Sequence, residues 1–331
     1  MTTIFPVTPA SLDRSKLFNA RIKNKPFTCI FSFFDFFDAD AMKRVSKDWN
    51  MQSRKWQQVY LEEPIRSLAN RNNLAGCAFL TTNETGVETT FESLEKVEKI
   101  ARGVHIGVSG LHNWDYIAAM RSSFAILIDH STNSCQFNSK ALEILRSSPT
   151  RLVFKQKLLE ELARAPYEVS YNFLYGDTSI LKNHSREILG WFGKSYSALH
   201  NDMRFNFLKK LALDNRILVI RLSLLDCDKI EQIPRILHRI GLKVSSLYLS
   251  NVYDYFCKDE LRDGLSEQQI AFKKSVSLLK DDDTCIIDST MYRTMTDDIL
   301  QRVSLGKNFV PAKEREEAFK PKRLTISDSI P

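Results

Sequence analysis

The 331-residue sequence has no Cys-x-x-Cys pair, no apolar run long enough to cross a bilayer and no long basic block. Each absence removes a class of function. The six cysteines, Cys29, Cys77, Cys135, Cys227, Cys257 and Cys285, stand far apart, and several lie in apolar stretches such as Thr284-Cys285-Ile286-Ile287. They read as free, buried thiols in a reducing compartment and not as a disulfide framework or a zinc site. The most apolar run, Phe27 to Phe34, is broken by Asp35 and is too short to span a membrane. Met1-Thr2-Thr3-Ile4-Phe5-Pro6 lacks the basic and apolar regions of a secretory signal. The expectation is a cytoplasmic protein without a membrane span. Net charge is +7, from 47 basic and 40 acidic residues, but the signs are interspersed. A solvated mixed surface follows, and nucleic acid is not indicated as a partner. A P-loop lysine motif is missing, and so is a Gly-x-Ser-x-Gly nucleophile elbow, of which Gly107-Val108-Ser109-Gly110 falls one residue short. His105, His112 and His130 have no compact zinc spacing and no cysteine among them, so no metal is expected.

What the sequence does have is alternation. Apolar runs at Val104–Val108, Phe124–Ile128, Ile217–Leu222, Val244–Leu249 and Thr284–Ile287 read as buried strands. Between them lie helical patterns: 113–120, 133–146, 151–163 with Leu152, Phe154, Leu158, Leu159 and Leu162, and 230–240 stopped by Gly241. A charged amphipathic helix over 89–101 would turn Phe91, Leu94, Val97 and Ile100 inward. With 43% hydrophobic residues the chain can build a substantial core. The fold class this implies is α/β, a Rossmann-like doubly wound sheet with a helical N-terminal extension. Residues 1–75 form the extension. In it Phe27 to Phe37 act as a packing anchor, and helix formers follow at Met42, Val45, Trp49, Trp56, Val59, Tyr60, Ile65 and Leu68, with Pro64 opening the last helix. Residues 76–290 form the Rossmann-like domain. Residues 291–331 hold a C-terminal helix and, from Lys313, a flexible tail.

The stretch from Val104 to Gly110, followed by Phe124 to Asp129, reads as strand, glycine turn, helix and a strand ending in an acid. That is the front half of a nucleotide-binding unit. Glycine lets a ligand approach the backbone, and Asp129 falls where a carboxylate accepts from both hydroxyls of an adenosine ribose. An ordinary βαβ unit, whose loop merely turns, is the bland alternative. Ligands of such sheets bind beyond the carboxyl ends of the strands, where the strand order reverses. Three strand ends are polar: Gly107, Ser109, Gly110, His112 and Asn113; Asp129 and His130; and Ser250-Asn251-Val252-Tyr253-Asp254-Tyr255. They are expected to converge. Asp226, after the third strand, is a candidate beside an adenine. A nicotinamide-dependent oxidoreductase shares the strand-end acid but needs three glycines, and Ser109 stands at the second.

Asn83-Glu84, then His105 to Asn113, Ile117-Ala118, Ala125 to Asp129, Asn133, Lys140-Ala141-Leu142 and Leu247 to Val252 are found in this order. The series resembles a little-characterised bacterial family of predicted class I S-adenosylmethionine-dependent methyltransferases, over roughly 75–290. The resemblance implies S-adenosylmethionine as cofactor, held by Gly107, Ser109, Gly110, Asn113, Asp129 and His130. It implies Asn251 and Tyr253 as the residues that orient an unknown methyl acceptor, a protein among the candidates. The family's loop carries a glycine where Ser109 stands and a glutamine where His112 stands, and basic residues where His130-Ser131-Thr132 follow the acid. These departures leave a second reading open, a catalytically silent scaffold that binds a protein partner. Glu314-Arg315-Glu316-Glu317 ahead of a short polar end resembles the signals of bacterial effectors exported to a host cell by type IV secretion.

Overall fold

The computed structural model describes residues 47–70, 80, 84–97, 103–108, 110–164, 188–256, 266–291 and 299–311. The phenylalanine-rich segment, Ser109 and the acidic tail therefore lie outside the described residues. The chain divides into two compact units, Met1–Glu63 and Pro64–Pro331. The described part of the first is helical: α1 (Lys47–Gln57) followed by a π-helical turn, Gln58–Glu62. In α2 (Glu63–Ser67), Glu63 already has helical dihedrals and donates its N–H to Gln58 O, so Pro64 does not open the helix as the sequence suggests.

The second unit is built on one sheet. After α3 (Val87–Lys96) come β1 (Gly103–Val108), α4 (His112–Ala119), β2 (Phe124–Asp129), α5 (Thr132–Ser147) and α6 (Arg151–Arg164). Then follow α7 (Asp202–Leu213), β3 (Ile217–Arg221), α8 (Cys227–Arg239), β4 (Lys243–Ser250), the short α9 (Val252–Tyr255), α10 (Glu267–Leu279), β5 (Cys285–Met291) and β6 (Ile299–Leu305). The strand order is β3-β2-β1-β4-β5-β6. β1 to β5 run parallel, and β6 returns antiparallel along β5. This is the doubly wound α/β architecture the alternation implies.

The strands are apolar without a polar face because both faces are covered. Ala125, Leu127 and Ile217 face Trp114, Phe137, Leu145, Phe154 and Leu208 of the helices α4 to α7. Their strand neighbours Ile126, Ile128, Leu218 and Ile220 are buried as well. Over β4 and β5, Tyr248, Cys285 and Ile287 meet Val87, Phe91 and Leu94 of α3 and Tyr116 and Met120 of α4. Burying each large apolar side chain contributes about 1.5–3 kcal/mol. Helix starts are capped by Ser131, Asn201 and Asp226, and by a Ser266–Gln269 capping box. Gly241, at φ 72°, follows the end of α8 in the left-handed region that favours glycine.

Two expectations fare differently. Phe154, Leu158 and Leu162 point inward on α6, but Leu152 is 77% exposed, because it falls outside their four-residue spacing. Residues 299–305, in the stretch read as a C-terminal helix, are the strand β6. Its strand signal is masked in sequence because a buried position carries Gln301. Among the described residues no helix is long and apolar enough to cross a membrane. Cys285 is buried, and Cys135 and Cys227 are half-buried free thiols.

Candidate functional site

The strand order reverses between β1 and β4, which pair directly: Gly107 lies opposite Leu127 of β2 on one side and Tyr248 of β4 on the other. The carboxyl ends of β1 and β4 therefore flank the crevice in which ligands of such sheets bind. The glycine turn and the Ser250–Asn251 strand end meet there, and Asp129 ends the next strand over.

At the β1 end the space beside Gly107 is already occupied. A Cβ on Gly107 would stand 1.7 Å from Asn113 Oδ1 and 2.8 Å from His105 Nε2. Asn113 is fully buried. Its amide NH2 donates to the carbonyls of Val108, 2.7 Å, and Gly110, 2.9 Å. Both donors being committed, Oδ1 faces His105 Nε2 at 3.0 Å. Nε2 therefore carries the imidazole proton, and Nδ1 accepts from the Ser246 hydroxyl at 2.9 Å. Burial holds the His105 pKa down at about 4, outweighing the Asn113 bond that raises it, so the ring is neutral at physiological pH. Glycine at 107 thus makes room for a buried amide that staples the loop.

The next turn of α4 carries a second buried chain. His112 Nδ1 donates to Asp115 Oδ2 at 2.8 Å, and the Tyr116 hydroxyl lies 2.6 Å from His112 Nε2. Asp115 also accepts from Trp191 Nε1–H at 2.8 Å and from the Ala198 N–H at 2.5 Å. Burial, then the neighbouring Tyr248, Glu84 and Asp115, push the Tyr116 phenol well above its ordinary range, so it keeps its proton. The spacing 112, 115, 116 places all three side chains on one face of a helix.

At the β2 end Asp129 is half-buried, and its Oδ1 accepts from Ser131 N–H at 2.8 Å, an Asx-type turn leading into α5. His130 is 63% exposed on its side chain, with Nδ1 3.6 Å from Asp129 Oδ1. Asp226 caps α8 through Lys229 N–H and pairs with the Lys229 ammonium at 3.4 Å.

The β4 end is different. Ser250 adopts φ 52°, the left-handed region that non-glycine residues rarely enter. Asn251 follows, 8% exposed, and its side-chain amide meets only Ser250 Oγ, at 3.3 Å, among the described residues. Tyr253 is buried, its ring 5.4 Å from Phe272, while Tyr255 is exposed. Behind this strand end sits Glu84, also 8% exposed. Its Oε1 accepts from Ser250 Oγ at 2.6 Å, Ser289 Oγ at 2.7 Å and the Tyr248 hydroxyl at 3.1 Å. Its Oε2 accepts from Gln301 Nε2.

The structure therefore sets Gly107, Gly110 and Asn113 at the β1 end, Asn251 at the end of the paired strand β4, and Asp129 and His130 at the neighbouring β2 end. Among the described residues, no group of three His, Cys, Asp or Glu side chains is arranged to hold a metal ion. Sequence reasoning did not give functional weight to Glu84, Asp115, Tyr116, Ser246 or Gln301. A signal existed for part of this set. His105 and Ser246 are polar residues inside strands covered on both faces, where a polar side chain must find a buried partner.

Residues 79–299 match the family described as Domain of unknown function (DUF7790). No curated protein matches the sequence. Among solved structures the chain is similar to the rRNA methyltransferase aviRa from Streptomyces viridochromogenes, at 10% identity and a TM-score of 0.35, over 63% of this chain and 74% of that one.

Proposed function

The chain belongs to the family described as Domain of unknown function (DUF7790), and on that premise we propose that it is a divergent S-adenosylmethionine-dependent methyltransferase-like protein. The ligand crevice is the one between the carboxyl ends of β1 and β4. The observation that carries this reading is the β4 end: a left-handed Ser250 followed by an Asn251 whose side-chain amide meets only Ser250 Oγ among the described residues. Strained backbone at a strand end, at the reversal of the sheet, is a feature of functional sites. Asp129 takes the ribose hydroxyls, with His130 beside it and Gly110 after the neighbouring strand. Asn251 and Tyr253 orient the acceptor, the Tyr253 ring being buried against Phe272. S-adenosylmethionine supplies an already activated methyl group, so the protein has only to align the acceptor and exclude water. Calorimetric titration with S-adenosylmethionine and S-adenosylhomocysteine tests the reading. Heat and a thermal shift at micromolar to millimolar ligand are expected, and neither at millimolar ligand removes it.

A second reading has its own observation. The space beside Gly107 is filled by Asn113, both of whose amide donors are committed to the loop. A closed glycine turn suits a catalytically silent scaffold that binds a protein partner. On that reading Gly107 and Asn113 serve only the loop's shape. Cofactor turnover with no partner retained in a pull-down would end it.

A further inference from the structure

Glu84 lies ahead of α3, far in sequence from the strand ends it joins. Its carboxylate accepts from Tyr248 and Ser250 of β4, Ser289 of β5 and Gln301 of β6. The same short segment pairs with the sheet through its backbone, since Gln301 N–H donates to Thr85 O at 3.0 Å. Hydrogen bonds to a carboxylate are stronger than neutral ones, so this is a firm attachment.

Ser250 needs such an attachment. A serine stays at φ 52° only where its surroundings enforce it. The sheet ladder alone does not do so: the β4–β5 pairing slips register between Tyr248 and Ser250, although Ser250 still stands opposite Asp288. What holds Ser250 is its hydroxyl, 2.6 Å from Glu84 Oε1. The turn that follows is set by this conformation, and Asn251 is its first residue.

We propose that Glu84 is a positioning residue: through Ser250 it fixes the orientation of the Asn251 amide at the β4 end. The proposal rests on the reading that Asn251 orients the methyl acceptor. Glu84 touches neither cofactor nor acceptor and acts only through the strand end.

The test follows the side-chain NH2 signals of Asn251 in protein labelled with 15N-asparagine, assigned by their loss in Asn251→Ala. Glu84→Gln should shift or broaden that pair, while affinity for S-adenosylhomocysteine changes by less than about twofold, because the β1 and β2 ends are untouched. In a Ser250→Gly background the left-handed conformation is open without strain and the link is cut. Glu84→Gln should then produce no further shift. An unmoved Asn251 pair in Glu84→Gln, or an equal shift with and without the Ser250 hydroxyl, overturns the proposal. If Glu84→Gln fails to fold, Ser250→Ala carries the test, since it leaves the other three partners of Glu84 in place. It should move the Asn251 pair, and no movement overturns the proposal. Absence of S-adenosylhomocysteine binding by the parent removes the methyltransferase reading alone, since the Asn251 signals still decide the role of Glu84.

Discussion

The two strand ends that flank the crevice are built to opposite specifications. At the β1 end two described buried side chains are answered from within: Asn113 closes on Val108, Gly110 and His105, and His105 closes on Ser246. At the β4 end the backbone is strained and the Asn251 amide meets only Ser250 Oγ among the described residues. The first arrangement stabilises the sheet where its order reverses. The second leaves hydrogen-bonding capacity for something else to use. A crevice with one rigid wall and one presenting wall is what an aligned two-component reaction asks of a scaffold.

The comparison breaks most sharply at Gly107. Gly107→Ala drives a methyl group into the fully buried Asn113 amide, and displacing that amide breaks its three hydrogen bonds. A destabilisation of about 3–5 kcal/mol is expected in urea unfolding. A loss below about 0.5 kcal/mol would mean that the β1 end is not rigid. Next comes pH. The folded His105 pKa of about 4 lies below its ordinary 6.5, so the neutral ring's contribution is fully present above pH 6.5. It is lost as pH falls from there toward 4, and on the order of 3 kcal/mol is at stake. Melting temperatures between pH 7 and pH 4 should fall for the parent, and His105→Gln should flatten that slope. Asp129→Ala should weaken S-adenosylmethionine binding by about 1.5–3 kcal/mol in calorimetry, with only a small loss of stability from the freed Ser131 N–H. Unchanged affinity would remove Asp129 as the ribose ligand. The smallest effect sharpens the contrast. Asn251→Ala should change stability by no more than about 0.5 kcal/mol, since the side chain supports nothing beyond one long contact to Ser250. A cost near that of Gly107→Ala would make the two ends alike.

The parallel strands were legible because they are largely apolar runs separated by helical spacing, and Gly241 behaves as its residue type requires; the Phe91–Leu94 face does so too, but its helix ends at Lys96, with Val97 in extended backbone. β6 escaped because Gln301 occupies a buried position in it, which makes sense only once Glu84 is beside it. The convergence of Gly107 with Asn251 was readable from topology. That Gly107 serves Asn113 was not, because a glycine records an approach without naming what approaches. The network around Glu84 was out of reach for the same reason: its partners are set by the register of three strands, which no local pattern encodes.

The Glu84 carboxylate also places a date on the site. Its partners Tyr248, Ser250, Ser289 and Gln301 follow it by 164, 166, 205 and 217 residues. Contacts of such separation form late, because the chain must close long loops before gaining from them. During synthesis Glu84 leaves the ribosome long before the residues that will receive it. Until Gln301 has emerged, the β4 end lacks part of the clamp that bends it. Premature release or proteolysis at that stage would yield a chain with its early strands β1 to β3 in hand and its presenting wall unformed. The apolar half can assemble early, and the crevice is completed among the last steps.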